Sequence, residues 1–352
     1  MPRTPRRRLL LGTLAAPALL GPGGARAQLR DLTVVSWGGA YQEAQREAFF
    51  RPWMQASGQR LLEETWDGGI ARLREQVASG SGNWDVVQVE GDELLTGCAE
   101  GLFEKLDFDA IGGRDAYIPD AVHECGVGAI LYAFVLAWNR ATFPTGPQSW
   151  ADLFDTARFP GRRALRRGPK TTLEIALLAD GVAPAQVYPL LDTQAGVARA
   201  FARLDSIRRD LTWWERGSEP PRWLTSGEVT MAAAYNGRIA AANVGGQDLA
   251  MSWAQNLYTL DYWVILRGSP NIARAQDFLR FAGQAQQQAA LARAIPYGVT
   301  AREANRLLTR QVLAELPTSP QNAETRLRVD DRFWLTHGDR LGVRFDAWVT
   351  GG

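Results

Sequence analysis

The sequence predicts an α/β protein of two lobes. Short β-branched runs alternate with segments whose apolar residues recur at helical spacing, which is the pattern of parallel βαβ units. A chain of 352 residues exceeds what one simple core holds and suits two lobes of ordinary size. A long apolar stretch, Ala129 to Trp138, separates two such sets and can cross from one lobe to the other.

In the first set, Leu32 to Ser36 reads as a strand, Trp37-Gly38-Gly39 as a turn, and Ala40, Ala44 and Ala48 as one face of a helix. The glycines lack a phosphate-cradle pattern and serve close approach of a ligand or of the helix to the backbone. Leu61 to Thr65 is a second strand, and Ile70, Leu73 and Val77 form the apolar face of the following helix. Asp85 to Val89 is a third strand, ending at Glu90-Gly91-Asp92. Trp37 and Glu90 thus fall at strand carboxyl ends, where open α/β sheets bind ligands. Asp92 reads equally as an N-cap of the next helix.

Ser149 caps a helix that opens the second set, followed by a strand entry at Phe159 to Leu165 and helices over Thr172 to Asp180 and Gly196 to Ile207. The cluster Arg162, Arg163, Arg166, Arg167 and Lys170 reads as a solvated face, since it lacks the aromatic interleaving of a single-strand binder. Pro220 and Pro221 open a short helix that Gly227 closes, Val229 to Ala234 is a buried strand, and Tyr235-Asn236-Gly237 is a turn. Leu257 to Leu266 is another apolar strand, interrupted by Asp261. A carboxylate there is costly unless it is paired, bound to something or placed at a cleft edge. Helices over Asn271 to Ala282 and Ala285 to Ala294 lead to the turn Ile295-Pro296-Tyr297-Gly298. Helices over Asp330 to Val349 close the chain.

The first 27 residues read as an export signal, with a basic start, an apolar run from Leu9 to Leu20 and Ala25-Arg26-Ala27 before the cleavage point. Arg6-Arg7-Arg8-Leu9-Leu10 fits the twin-arginine pattern, with a Sec signal as the alternative. Removing the five arginines of this segment from the 39 basic residues leaves 34 against 38 acidic ones, a net of −4. Such a body argues against nucleic acid and permits a cationic ligand. No later apolar run reaches the ~18 residues of a spanning helix, so the expected address is the periplasm. In that oxidising compartment Cys98 and Cys125 are expected to pair.

The motifs of familiar hydrolases are missing. There is no G-x-S-x-G elbow and no H-E-x-x-H, and His123 and His337 are the only histidines. No catalytic residue, metal or cofactor is assigned. An exported carboxylate-pair hydrolase remains the alternative from another class, because two acids at ~5 to 9 Å leave no sequence signature.

Ser36-Trp37-Gly38-Gly39-Ala40-Tyr41, Trp84-Asp85-Val86-Val87 with its acidic rim, Tyr235-Asn236-Gly237-Arg238, Asp261-Tyr262-Trp263 and Ile295-Pro296-Tyr297-Gly298 resemble, in this order, the extracellular solute-binding proteins of bacterial ABC importers, and among them the spermidine/putrescine-binding group. The resemblance implies the two-lobed periplasmic binding protein fold of type II, a monomer that clamps ligand between lobes joined by crossover strands. Lobe 1 would span 28–137, completed by about 262–310. Lobe 2 would span 138–261, with 311–352 packed on it. It also implies delivery of a putrescine- or spermidine-like cation to an inner-membrane ABC permease, with Trp37, Glu90, Asp92, Glu174, Tyr235, Asp261 and Tyr297 at the ligand. Aromatic rings would flank the alkyl chain and carboxylates would hold the ammonium ends. Three departures stand out: Thr171 where an aspartate is expected, Thr259 where an aromatic is expected, and Glu90 in place of a small polar residue. The alternative ligand is amino-acid-like or anionic, with Arg238 as its partner.

Overall fold

The computed structural model describes residues 1, 30–79 and 82–351, so the export segment read over 1–27 lies, apart from Met1, outside the described residues. Everything that follows concerns the unit Asp31–Gly352. No helix among the described residues is long and apolar enough to cross a membrane.

The β-branched runs form β1 (Leu32–Ser36), β2 (Leu61–Thr65) and β3 (Val86–Glu90). A short β4 (Val122–His123) precedes the long β5 (Gly126–Asn139). Then come β6 (Arg163–Arg166), β7 (Leu211–Trp214), β8 (Met231–Tyr235), β9 (Leu249–Ile265) and β10 (Leu327–Arg328). They make one mixed sheet in the order β2-β1-β3-β9-β5-β8-β6-β7, with β10 on β9 and β4 on β5. Within each lobe the outer strands are parallel, β1 with β2 and β3, and β6 with β7 and β8. The crossover strands β5 and β9 run antiparallel to each other and to β8 and β3, while β10 joins β9 in parallel. This is the two-lobed α/β fold of the periplasmic binding proteins, and β5 and β9, of 14 and 17 residues, are what join the lobes.

β5 is buried along nearly its whole length because helices cover both faces of the sheet, which is why it reads as a continuous apolar run. The β5–β9 ladder slips in register between Phe134 and Leu136, and Gln255 adopts a left-handed φ of 53° in β9. Both proposed lobe boundaries fall inside these strands. The helix Asp331–Thr350 lies against both lobes. Asp331 closes over Gly91, while Phe345 and Trp348 pack edge-on against Trp213.

Three local readings differ from the structure. Asn236 and Gly237 begin a helix, Asn236–Val244, instead of a turn. The Asn236 side chain accepts from Ala133 N and donates to Pro296 O, and so ties that helix start to β5 and to the Tyr297 loop. The strand around Asp261 begins earlier, at Leu249. Asp92 is not the N-cap of its helix. Glu90 holds that place, and Glu93 Oε2 accepts from Glu90 N at 3.0 Å. Cys98 and Cys125 form a disulfide with Cα atoms 5.8 Å apart, which pins the helix Gly91–Ala99 to the start of β5.

Candidate functional site

Parallel strands deliver whatever follows them to one rim of a sheet. Trp37 follows β1 and Trp66 follows β2. Glu90 ends β3, Arg166 ends β6, Arg216 lies just past β7, and Tyr235 ends β8. All of them line one cavity of about 320 Å³ between the lobes. The crossover strands supply its floor, Tyr132 from β5 and Asp261 from β9.

Six aromatic residues line the cavity. Trp37 stacks on Trp66 with centroids 5.3 Å apart, and Tyr132 meets Tyr235 and Tyr297 edge to face. Gly38 and Gly39 take left-handed φ values of 61° and 56°. A Cβ on Gly39 would fall 2.7 Å from Arg238 Nη1, so the glycine is what lets this arginine reach the first loop. Arg238 Nη2 donates to Trp37 O at 3.1 Å and to Gly38 O at 3.0 Å, a bond between lobes.

Asp261 is 4% exposed. Its Oδ2 accepts from Trp37 Nε1 at 2.8 Å and from Gln88 Nε2 at 3.1 Å, whereas Oδ1 has no partner. Burial, then the charge of Glu90, pushes this carboxyl well above the usual range. Neither Asp261 nor Arg238 forms an ion pair among the described residues, although both line the cavity. A buried charge without a counter-charge is costly. The site therefore presents one acceptor and one cation that a ligand can satisfy together.

Beside them runs a salt bridge between the lobes. Glu90 meets Arg166 at 2.7 Å and Lys170 at 2.9 Å, and Lys170 also reaches Asp92 at 2.6 Å. Burial alone would raise the Glu90 carboxyl, but the two cations hold it at about 2. Its neighbour Glu93, half-buried and facing Glu90 and Asp92, is pushed up to about 7 by desolvation and by those two charges.

Five of the expected ligand residues, Trp37, Glu90, Tyr235, Asp261 and Tyr297, line the cavity, and two do not. Asp92 is turned to Lys170 in a neighbouring hollow. Glu174 is fully buried beneath the C-terminal helix, where it accepts from Trp334 Nε1 at 2.7 Å and Tyr188 OH at 2.9 Å. Burial pushes its carboxyl up to about 7, and it serves packing in the second lobe. Thr171 and Thr259 are buried without hydroxyl partners, and neither lines the cavity.

The arginine cluster is only partly a solvated face. Arg163 is buried and donates to the carbonyls of Leu153 and Gly161, while Arg166 and Lys170 turn into the cleft. The signal for Arg166 was its position at a strand carboxyl end, the same cue that picked Trp37 and Glu90. Tyr132 and Gln88 carried no such cue, being alternate members of buried strands. Cys98, His123 and Cys125 come together within 4.8 Å, but both sulfurs are occupied by the disulfide, which leaves no thiolate for a metal.

Residues 60–315 match the family model described as bacterial extracellular solute-binding protein. Over 325 residues, 92% of each chain, the sequence is 45% identical to the Gamma-aminobutyric acid-binding protein of Pseudomonas aeruginosa. A solved GABA receptor shares 36% identity with a TM-score of 0.80, covering 91% of this chain and 98% of its own. A periplasmic binding protein of A. tumefaciens B6 in complex with glucopine shares 31% identity with a TM-score of 0.85, covering 90% and 99%. The chain belongs to the bacterial extracellular solute-binding proteins of ABC importers.

Proposed function

We propose that this protein captures a small amino-acid-like zwitterion of the gamma-aminobutyrate class in the periplasm and hands it to an ABC permease of the inner membrane. The observation that carries the reading is a pair of groups lining the cavity without a counter-charge, Asp261 with its unpartnered Oδ1 and Arg238, which is held by the carbonyls of Trp37 and Gly38 and by the Tyr297 hydroxyl. An ammonium group answers the first and a carboxylate answers the second, while the rings of Tyr132, Tyr235 and Tyr297 take the methylenes between them. The putrescine- or spermidine-like ligand suits this wall less well, because its second ammonium would meet a buried guanidinium. The relatives named for gamma-aminobutyrate point the same way.

A second hollow of about 580 Å³ adjoins the first and shares Asp67, Arg166, Glu215 and Arg216 with it. It favours a second reading, in which the ligand is a larger amino-acid derivative whose tail passes Arg216. The glucopine complex of a relative supports that variant. Thermal-shift measurements on the mature protein with gamma-aminobutyrate, putrescine, glutamate and an N-substituted amino acid test both. A specific binder gains stability by RT ln(1 + [L]/Kd). Stabilisation by the zwitterions and not by putrescine supports the reading, and stabilisation by putrescine alone overturns it.

A further inference from the structure

We propose that Gln88, a residue outside the cavity, is the positioning residue that aims Asp261 and makes the site selective for a primary ammonium over a guanidinium. The inference rests on the proposed function and deepens it. Gln88 is fully buried in the middle of β3 and lines no part of the cavity. Its Oε1 accepts from Gln45 Nε2 at 2.8 Å, with Tyr41 OH 3.1 Å and Ser36 Oγ 3.2 Å away. Ser36 Oγ gives its one proton to Gln45 Oε1 at 2.6 Å, which fixes the neighbour in turn.

These contacts decide which way the amide faces. Rotating it by half a turn would set its NH₂ group against the Gln45 donor. The Gln88 nitrogen is therefore held toward Tyr41 OH, at 2.8 Å, and toward Asp261 Oδ2, at 3.1 Å. With each of its amide atoms engaged, the Gln88 side chain is held in one orientation.

The consequence for Asp261 is geometric. Oδ2 accepts from Gln88 and from Trp37, and Oδ1, buried and without a protein partner, is the oxygen this proposal gives to the ligand. A single bare oxygen accepts one N–H of an ammonium. The two parallel N–H groups of a guanidinium are matched by both oxygens of a carboxylate, so a single free oxygen forfeits one of the two bonds. Gln88 thus selects at one remove: it is the second donor on Oδ2 beside Trp37, and with Gln88 gone the carboxylate is held by Trp37 alone and can turn.

The experiment is a double-mutant cycle of Gln88→Met and Asp261→Asn, with gamma-aminobutyrate and 4-guanidinobutyrate titrated calorimetrically into each of the four proteins. Gln88→Met is expected to weaken gamma-aminobutyrate roughly tenfold in the wild-type background and less than about twofold beside Asp261→Asn, since contacting groups do not add. The ratio of affinities for the amine and the guanidine should narrow in Gln88→Met. Equal losses in both backgrounds, with an unchanged ratio, would mean that Gln88 is a packing residue and would overturn the proposal. Should Gln88→Met not fold, Gln45→Met removes the 2.8 Å donor on Gln88 Oε1 together with the acceptor of Ser36 Oγ, and the same non-additivity with Asp261→Asn is expected. A wild-type protein that binds neither compound contradicts the proposed function, whereas wild-type binding with additive losses contradicts only the role of Gln88.

Discussion

Glu90 and Asp261 are Cα partners across the β3–β9 ladder, yet only one of them has cations. Glu90 is closed off by Arg166 and Lys170. Asp261 faces the same cleft with tryptophan and amide donors on one oxygen and nothing on the other. In the proposed account the pair divides the labour of the site: one carboxylate is paired across the cleft, and the other is assigned to the ligand.

Asp261→Asn should therefore weaken ligand binding by roughly thirtyfold or more, as expected from on the order of 2 to 5 kcal/mol for removing one side of a buried charge pair. Its pH dependence has a definite sign. Burial and Glu90 raise the folded carboxyl, so the ligand-free protein keeps a proton that the unfolded chain releases. Stability of the ligand-free wild type should fall as pH rises above the ordinary aspartate range, and affinity for an ammonium should rise over the same window. Melting curves and titrations from acid to neutral pH check this, and both slopes should flatten in Asp261→Asn.

For Glu90 the sign is opposite. Its carboxyl is lowered to about 2, so the stability it supplies is present above its ordinary value of 4.5 and disappears as pH falls through about 2. Glu90→Gln should lower the melting temperature of the ligand-saturated protein at neutral pH, with a loss of about 3 to 5 kcal/mol for leaving buried cations unpaired. The difference from wild type should vanish near the acid end of that window.

Arg238→Met should reduce affinity for gamma-aminobutyrate at least about tenfold, because it removes both the proposed carboxylate partner and a bond between lobes. Binding of putrescine should weaken less or improve, since a cation leaves the wall. Competition between the two compounds on wild type and variant shows which occurs.

Much of the fold was legible because the signals were local. Alternating β-branched and helical runs gave the strands, and an apolar run too long for one lobe gave the crossover at β5. Trp37, Glu90 and Asp261 were legible because strand ends and a charge inside an apolar run are rules of position. Glu174 shows where such reading stops. A glutamate in the helix Thr172–Ala179 looks the same in sequence whether it faces a cleft or Trp334, and only the path of the distant C-terminal helix decides. Gln88 was illegible for a similar reason, as its partners Ser36, Tyr41, Gln45 and Asp261 are gathered only by the β1–β3–β9 pairing.

The Cys98–Cys125 bridge closes a loop with a sequence separation of 27. In the loop-entropy model such a crosslink contributes about 3 kcal/mol. The mature protein, unfolded without reductant, should show no thiol to labelling reagents, and reduction should lower its melting temperature. Two labelled thiols in exported material would remove the bridge from the account.

The most direct test of the zwitterion reading is calorimetric titration of gamma-aminobutyrate and of putrescine into the same preparation of mature protein at neutral pH. The two ligands share a four-carbon span and one ammonium, and differ in whether the far end is a carboxylate or a second ammonium. A wall that pairs Asp261 with Arg238 should bind gamma-aminobutyrate at least about tenfold more tightly, a difference of about 1.4 kcal/mol. Putrescine binding as tightly as gamma-aminobutyrate, or more so, would contradict it.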